Sequence, residues 1–191
     1  MRVCVFCGSS SGRERHLDVA SAVGRGLAER GIELVYGGGR VGMMGAVADG
    51  ALAAGGTVIG VIPQSLVDWE VAHRGLSELH VVADMHERKA LMARLADAFV
   101  TLPGGAGTLE EMFEVWTWAQ LGLHSKPLGL LDVDGYFGHL LKMVDHMVEE
   151  GFLKPAYRDM LLVEDELDRL LDAFRGYRPP AYKWVEEGPL R

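Results

Sequence analysis

Hydrophobic residues in this chain come in short unbroken blocks, and the stretches between them carry apolar side chains at every third or fourth position. The blocks Val3 to Cys7, Ile32 to Tyr36, Thr57 to Ile62, Leu79 to Ala83, Ala98 to Leu102 and Pro127 to Val133 read as strands, with a short one at Leu161 to Val163. Helical spacing marks Arg15 to Arg30, Met43 to Ala54, Met85 to Ala96, Thr108 to Leu121, Tyr136 to Glu149 and Asp165 to Phe174. A strand that is apolar at successive positions is covered on both faces, and strands alternating with helices pair in parallel. The expected architecture is therefore α/β: a doubly wound, mostly parallel, Rossmann-like sheet with helices on both faces. It is read as one nucleotide-binding domain over residues 1–175, followed by an extended tail over residues 176–191 whose Tyr182 and Trp184 would pack on something.

In such folds ligands sit beyond the carboxyl ends of the strands. Here those ends are glycine loops, at Gly8 to Gly12, Gly37 to Gly45 and Pro103 to Gly107, which should converge on one crevice. Gln64 to Ser77 is less regular and is read as a functional loop with one helical turn near Trp69 to His73.

Composition narrows the partners. The chain has 191 residues, 25 of them glycine, and a net charge of -8, which disfavours nucleic acid, because phosphate backbones are bound by clustered Lys and Arg. An anionic ligand must then be captured locally. No stretch reaches the length of a membrane span, and no leader pattern precedes the first strand. Two cysteines make no disulfide framework, so a reducing cytoplasm is expected. Cys4 and Cys7 lie three apart on a strand and point to opposite faces, so they read as structural, and no metal or cofactor is predicted.

Gly37 to Gly42 formally matches the dinucleotide fingerprint G-x-G-x-x-G. It follows the second strand, and no acidic residue stands about 20 positions on, so nicotinamide binding is not expected. Nor does it have the Lys-Ser/Thr ending of a phosphate-binding P-loop. Met85 to Lys89 opens a helix with Arg88 and Lys89 in its first turns, where cations oppose the helix dipole. That placement makes sense beside an anion, to which Arg offers a bidentate fork. The most specified stretch is Pro103-Gly104-Gly105-Ala106-Gly107-Thr108-Leu109-Glu110-Glu111. A glycine turn leading into a helix exposes backbone N–H groups to a phosphate. Thr108 as N-cap and Glu111 three residues on would form a capping box, which leaves Glu110 unexplained and the excess of glycine unaccounted for. Thr117, between two tryptophans, reads either as a core threonine or as a hydroxyl lining the same cleft.

With these residues in view, the chain resembles the LOG (Lonely Guy) family of cytokinin riboside 5'-monophosphate phosphoribohydrolases. Pro103 to Glu111 matches P-G-G-x-G-T-x-x-E and Met85 to Lys89 matches M-x-x-R-K, and the likeness extends over nearly the whole chain. The resemblance implies hydrolysis of the N-glycosidic bond of an adenine-type nucleoside 5'-monophosphate to free base and ribose 5-phosphate. A non-hydrolysing nucleotide-binding protein of the same fold is the alternative. It implies Arg88 and Glu111 as the catalytic pair, Lys89 assisting, and Gly105, Ala106, Gly107, Thr108, Leu109 and Glu110 binding substrate. Thr117 and Glu70 fall where the family also contacts substrate, although Val67-Asp68-Trp69-Glu70-Val71 departs from the usual context. Family members are homodimers with the cleft near the interface, so contact is expected around Trp116, Trp118, Leu121 and the tail. Relatives often carry a lysine decarboxylase label, yet no lysine here stands out as a Schiff-base residue.

Overall fold

A computed structural model describes residues 1–69 and 71–182 of the chain. Seven strands, β1 (Arg2–Phe6), β2 (Glu33–Tyr36), β3 (Val58–Pro63), β4 (Glu78–Val82), β5 (Ala98–Thr101), β6 (Leu128–Leu131) and β7 (Leu161–Glu164), form one sheet in the order β4-β3-β2-β1-β5-β6-β7. Every pairing is parallel. The helices are α1 (Glu14–Glu29), α2 (Gly42–Ala53), α3 (Gln64–Asp68), α4 (Met85–Leu95), α5 (Ala106–Gln120), α6 (Gly138–Glu149), α7 (Pro155–Arg158) and α8 (Leu167–Gly176).

Period-2 alternation along the buried strands divides their side chains between two cores. Val3, Val5 and Cys7 join one with Ala20, Val47, Leu170 and Phe174, so α1, α2 and α8 cover that face. Cys4 and Phe6 join the other with Met92, Met112, Trp116 and Val144, beneath α4, α5 and α6. The two thiols, both free and buried, therefore sit on opposite sides of the sheet.

From β1 the chain winds outward to β4, then returns to place β5 on the other side of β1. The switch point lies between β1 and β5, and their C-terminal loops part there to leave a crevice. Gly8 N–H donates to the Pro103 carbonyl (3.2 Å) and Met44 N–H to the Gly8 carbonyl (3.3 Å), which ties all three glycine loops together. α1 and α2 approach unusually closely. A Cβ on Gly24 would stand 1.9 Å from the Val47 carbonyl oxygen, and one on Gly50 would stand 2.1 Å from that of Ser21.

Several expectations need correction. The helical turn after β3 occupies Gln64–Asp68, not Trp69 to His73, and Ala72 beyond it forms an isolated bridge with Gly39. That pairing supplies partners for backbone groups of a loop lying over the glycines, with Arg40 N–H donating to the Val71 carbonyl and His73 N–H to that of Gly38. The single turn α7 was not expected. α5 begins at Ala106, with Gly105 as N-cap, so Thr108 is not the cap and no capping box forms with Glu111. Glu70 and the tail beyond Tyr182, including Trp184, lie outside the described residues. Before that point the Tyr182 ring packs over Gly122, just past the end of α5.

Candidate active site

The crevice holds two adjoining pockets. The first, about 260 Å³, is lined by Arg88, Glu111 and Gly105 to Thr108, with Cys7, Ser9, Gly37 and Met44 completing its wall. The second, about 290 Å³, shares Ser9 and Gly105 with it and adds His16, Met43, Gly104 and Tyr136.

Arg88 reaches the first pocket from α4, whose N-terminus is secured by Asp84. The Asp84 carboxylate accepts from His86 N–H (2.8 Å) and Glu87 N–H (2.9 Å), and Glu87 in return accepts from Ala83 N–H (2.9 Å). The Arg88 guanidinium is buried and held by backbone: Nε donates to the Val61 carbonyl (3.2 Å) and Nη2 to the Gly37 carbonyl (3.1 Å). A Cβ on Gly37 would lie 1.8 Å from Nη2, so any larger residue there would displace the guanidinium from this position. The remaining edge of the fork faces Glu111, with Nη1 3.5 Å from Oε1, an ion pair longer than a good hydrogen bond.

Glu111 sits one turn inside α5 and is only 9% exposed. Burial pushes its carboxyl up to about 7, because desolvation outweighs the opposing pull of Arg88. A carboxyl that changes charge near neutral pH, next to a fixed cation in a crevice, is suited to proton transfer or to stabilising a developing positive charge.

The α5 N-terminus forms the other wall. Thr108 is buried, and its Oγ1 occupies the space a Cβ on Gly104 would fill, 2.1 Å away, so that glycine serves packing. Cβ atoms on Gly105 and Gly107 would meet nothing within 4 Å. Their bareness keeps room for a ligand beside the free N–H groups of the first helical turn, the arrangement that binds phosphate.

Other expected site residues lie elsewhere. Lys89, Leu109, Glu110 and Thr117 do not line the pocket. Lys89 turns to the seam between α4 and α5, where Nζ pairs with Glu110 and, at 3.2 Å, with Glu114. Burial works against the Lys89 charge, but the hydrogen bonds to Glu110 and Glu114 prevail, and its pKa is raised. An ammonium so held is a poor Schiff-base amine, and no lysine lines either pocket among the described residues. Thr117 is exposed on α5, neither core nor cleft. Trp116 is core rather than interface: it is 2% exposed, and its Nε1–H donates to the Tyr157 carbonyl (3.0 Å). His16 and Tyr136 were missed. The signal for His16 was present, since it falls on the apolar stripe of α1 with Ala20, Val23 and Leu27.

Comparison with known proteins fits this geometry. Residues 44–174 match the family model described as "Possible lysine decarboxylase". The chain is 50% identical over 179 residues to the cytokinin riboside 5'-monophosphate phosphoribohydrolase LOG5 of Arabidopsis thaliana, covering 93% of this chain and 78% of that one. It is 51% identical over 175 residues to the enzyme of the same activity name from Rhodococcoides fascians, covering 91% and 88%. Among solved structures, the molybdenum cofactor carrier protein of Chlamydomonas reinhardtii aligns with a TM-score of 0.69 at 22% identity, over 92% of this chain and 96% of that one. The molybdenum cofactor binding protein of Rippkaea orientalis aligns with a TM-score of 0.71 at 19% identity, over 92% and 95%, and at that distance the likeness is one of fold. The chain belongs to the family described as possible lysine decarboxylases, alongside the LOG phosphoribohydrolases.

Proposed function

We propose that this protein is a nucleoside 5'-monophosphate phosphoribohydrolase, which hydrolyses the base–ribose bond of adenine-type nucleotides, cytokinin riboside 5'-monophosphate and AMP among them. The observation that carries this reading is the ionisable Glu111 beside the backbone-anchored Arg88, one turn from a helix N-terminus kept bare for an anion.

The first turn of α5 would seat the 5'-phosphate, and that remote binding holds the anomeric carbon near Glu111. As the C1'–N bond breaks, positive charge spreads over the ribose ring, and an ionised Glu111 stabilises it and takes a proton from the attacking water. The water oxygen bonds to C1', the base leaves with the bonding pair, and the proton that Glu111 took from water passes to the base, which returns Glu111 to its ionised form. Arg88 stays in place through its two carbonyl bonds and offers Nη1 to a ribose hydroxyl or to the departing base. Lys89, Leu109, Glu110 and Thr117 then act at a distance from the chemistry, and Glu70 is proposed to contact substrate, as the family resemblance implies.

The working form is proposed to be a homodimer in the cytoplasm. Leu121 and Leu123, 37% and 69% exposed, lie just past α5 next to the half-buried Trp118, an apolar face that a second copy would cover. Free buried thiols fit a reducing compartment, and no described helix is long and apolar enough to cross a membrane. The test is incubation with AMP and with an N6-prenylated AMP, assaying free base and ribose 5-phosphate. Release of both products is expected; absence of release from either nucleotide overturns the assignment.

A further inference from the structure

The second pocket is built around a histidine whose hydrogen bonding is half complete. His16, at the third position of α1, is 8% exposed. Its Nδ1 accepts a hydrogen bond from the Arg13 backbone N–H (3.3 Å), and an accepting Nδ1 carries the lone pair. In the neutral ring the proton must then be on Nε2, which makes that atom a donor. Nε2 is buried and has no hydrogen-bond partner among the described residues. Leaving such a donor unmet costs about 1–3 kcal/mol, a penalty relieved when the ring turns its Nε2 edge toward an acceptor brought into the pocket.

The imidazole is braced along its Nδ1 edge and against one ring. Gly12, at φ +62°, has no Cβ, and one there would come within 2.6 Å of Nδ1. The Tyr136 ring meets the imidazole edge to face at 6.0 Å, and its hydroxyl donates to the Gly104 carbonyl (2.6 Å), which ties this wall to the α5 turn. The N-terminal ends of α1, α2 and α5 all reach the pocket, through His16, Met43 and the N-cap Gly105. None of its lining residues bears a carboxylate. In a chain of net charge -8, a pocket that presents helix N-termini and a histidine donor without a lining carboxylate selects a small anion.

We propose that His16 is a specificity-determining residue that donates Nε2–H to the phosphate of the nucleotide, so that the second pocket distinguishes a 5'-phosphorylated ribose from an unphosphorylated one. This rests on the nucleotide reading of the first pocket, which shares Ser9 and Gly105 with the second. The phosphate end would then lie between α1 and α5, and the scissile bond between Arg88 and Glu111.

The test is calorimetric titration of the full chain with ribose 5-phosphate, ribose and inorganic phosphate, for the native protein and for His16→Phe and His16→Gln. His16→Phe should weaken ribose 5-phosphate by about 10-fold or more, the value of one hydrogen bond to a charged acceptor, and leave ribose unaffected. His16→Gln keeps an amide donor and should recover most of the loss. Inorganic phosphate weakened in parallel places the contact on the phosphate group itself. Unchanged ribose 5-phosphate affinity in His16→Phe, or equal losses for ribose and its phosphate, overturns the proposal. Should His16→Phe not fold, the native protein decides: the His16 Nε2 nitrogen resonance must move on addition of ribose 5-phosphate, and a stationary resonance overturns the assignment. Failure of the hydrolase reading looks different, since the native protein would then bind ribose 5-phosphate through His16 yet release no base.

Discussion

Glu111→Gln tests the energetic state of the site apart from its chemistry. Glutamine matches the protonated carboxyl in shape and charge, so the substitution removes only the cost of holding a buried carboxylate. In the native state the carboxyl is pushed up to about 7, against an ordinary value of 4.5, which it regains on unfolding. Because the folded value is the higher one, the unfolded chain ionises first as pH rises. Stability therefore falls between about pH 4.5 and 7 and is level above that range. The gap corresponds to about 3 kcal/mol at pH 8. Glu111→Gln should thus equal the native protein near pH 4.5 and exceed it by about 3 kcal/mol near pH 8, a rise in Tm of roughly 6–12 °C for a chain of this size. Urea unfolding followed by tryptophan fluorescence at about pH 5, 6 and 8 measures this directly. Base release should vanish in the same variant, as expected where function keeps a destabilised group. A variant no more stable at pH 8, or one whose gain is the same at every pH, would refute the account of Glu111 as a strained, neutral-range carboxyl.

The activity profile should follow the same group: kcat/KM for AMP rises as pH passes upward through about 7, since the ionised Glu111 is the working form, and a flat profile speaks against that role. Gly37→Ala places a Cβ 1.8 Å from Arg88 Nη2, so the guanidinium must move and turnover should fall on the order of 100-fold, as read by steady-state kinetics with a thermal melt as control. Gly24→Ala forces α1 away from the Val47 carbonyl, costing about 1–3 kcal/mol, and an unchanged Tm would mean that the two helices slide apart freely. Leu123→Asp puts a charge on the proposed dimer face and should convert a dimer into a monomer by light scattering, whereas an unaltered mass would move the interface elsewhere.

The order of apolar blocks was enough to predict a parallel α/β sheet with helices on both faces, because burial on two faces leaves an uninterrupted apolar run and the amphipathic stretches between the runs supply the helices that cover them. The glycine loops at the strand ends, and the residue types Arg88 and Glu111, were equally legible, since bare turns and misplaced charges are anomalies in a one-dimensional pattern. Side-chain direction was not. Starting α5 at Ala106, with Gly105 as N-cap, puts Glu111 in the second turn, too far along the helix to bond the cap. Packing against the sheet then sets which side of α5 faces in: Glu111 meets Arg88, Glu110 turns to Lys89, and Thr117 faces outward. Lys89, next to Arg88 in sequence, enters a different environment for the same reason, since adjacent helical residues lie about 100° apart. The half-bonded His16 is the extreme case: its tautomer depends on the Arg13 N–H, its orientation on Tyr136, and its meaning on a pocket between three helix N-termini. These relations join residues far apart in the chain, and only the folded packing brings them together.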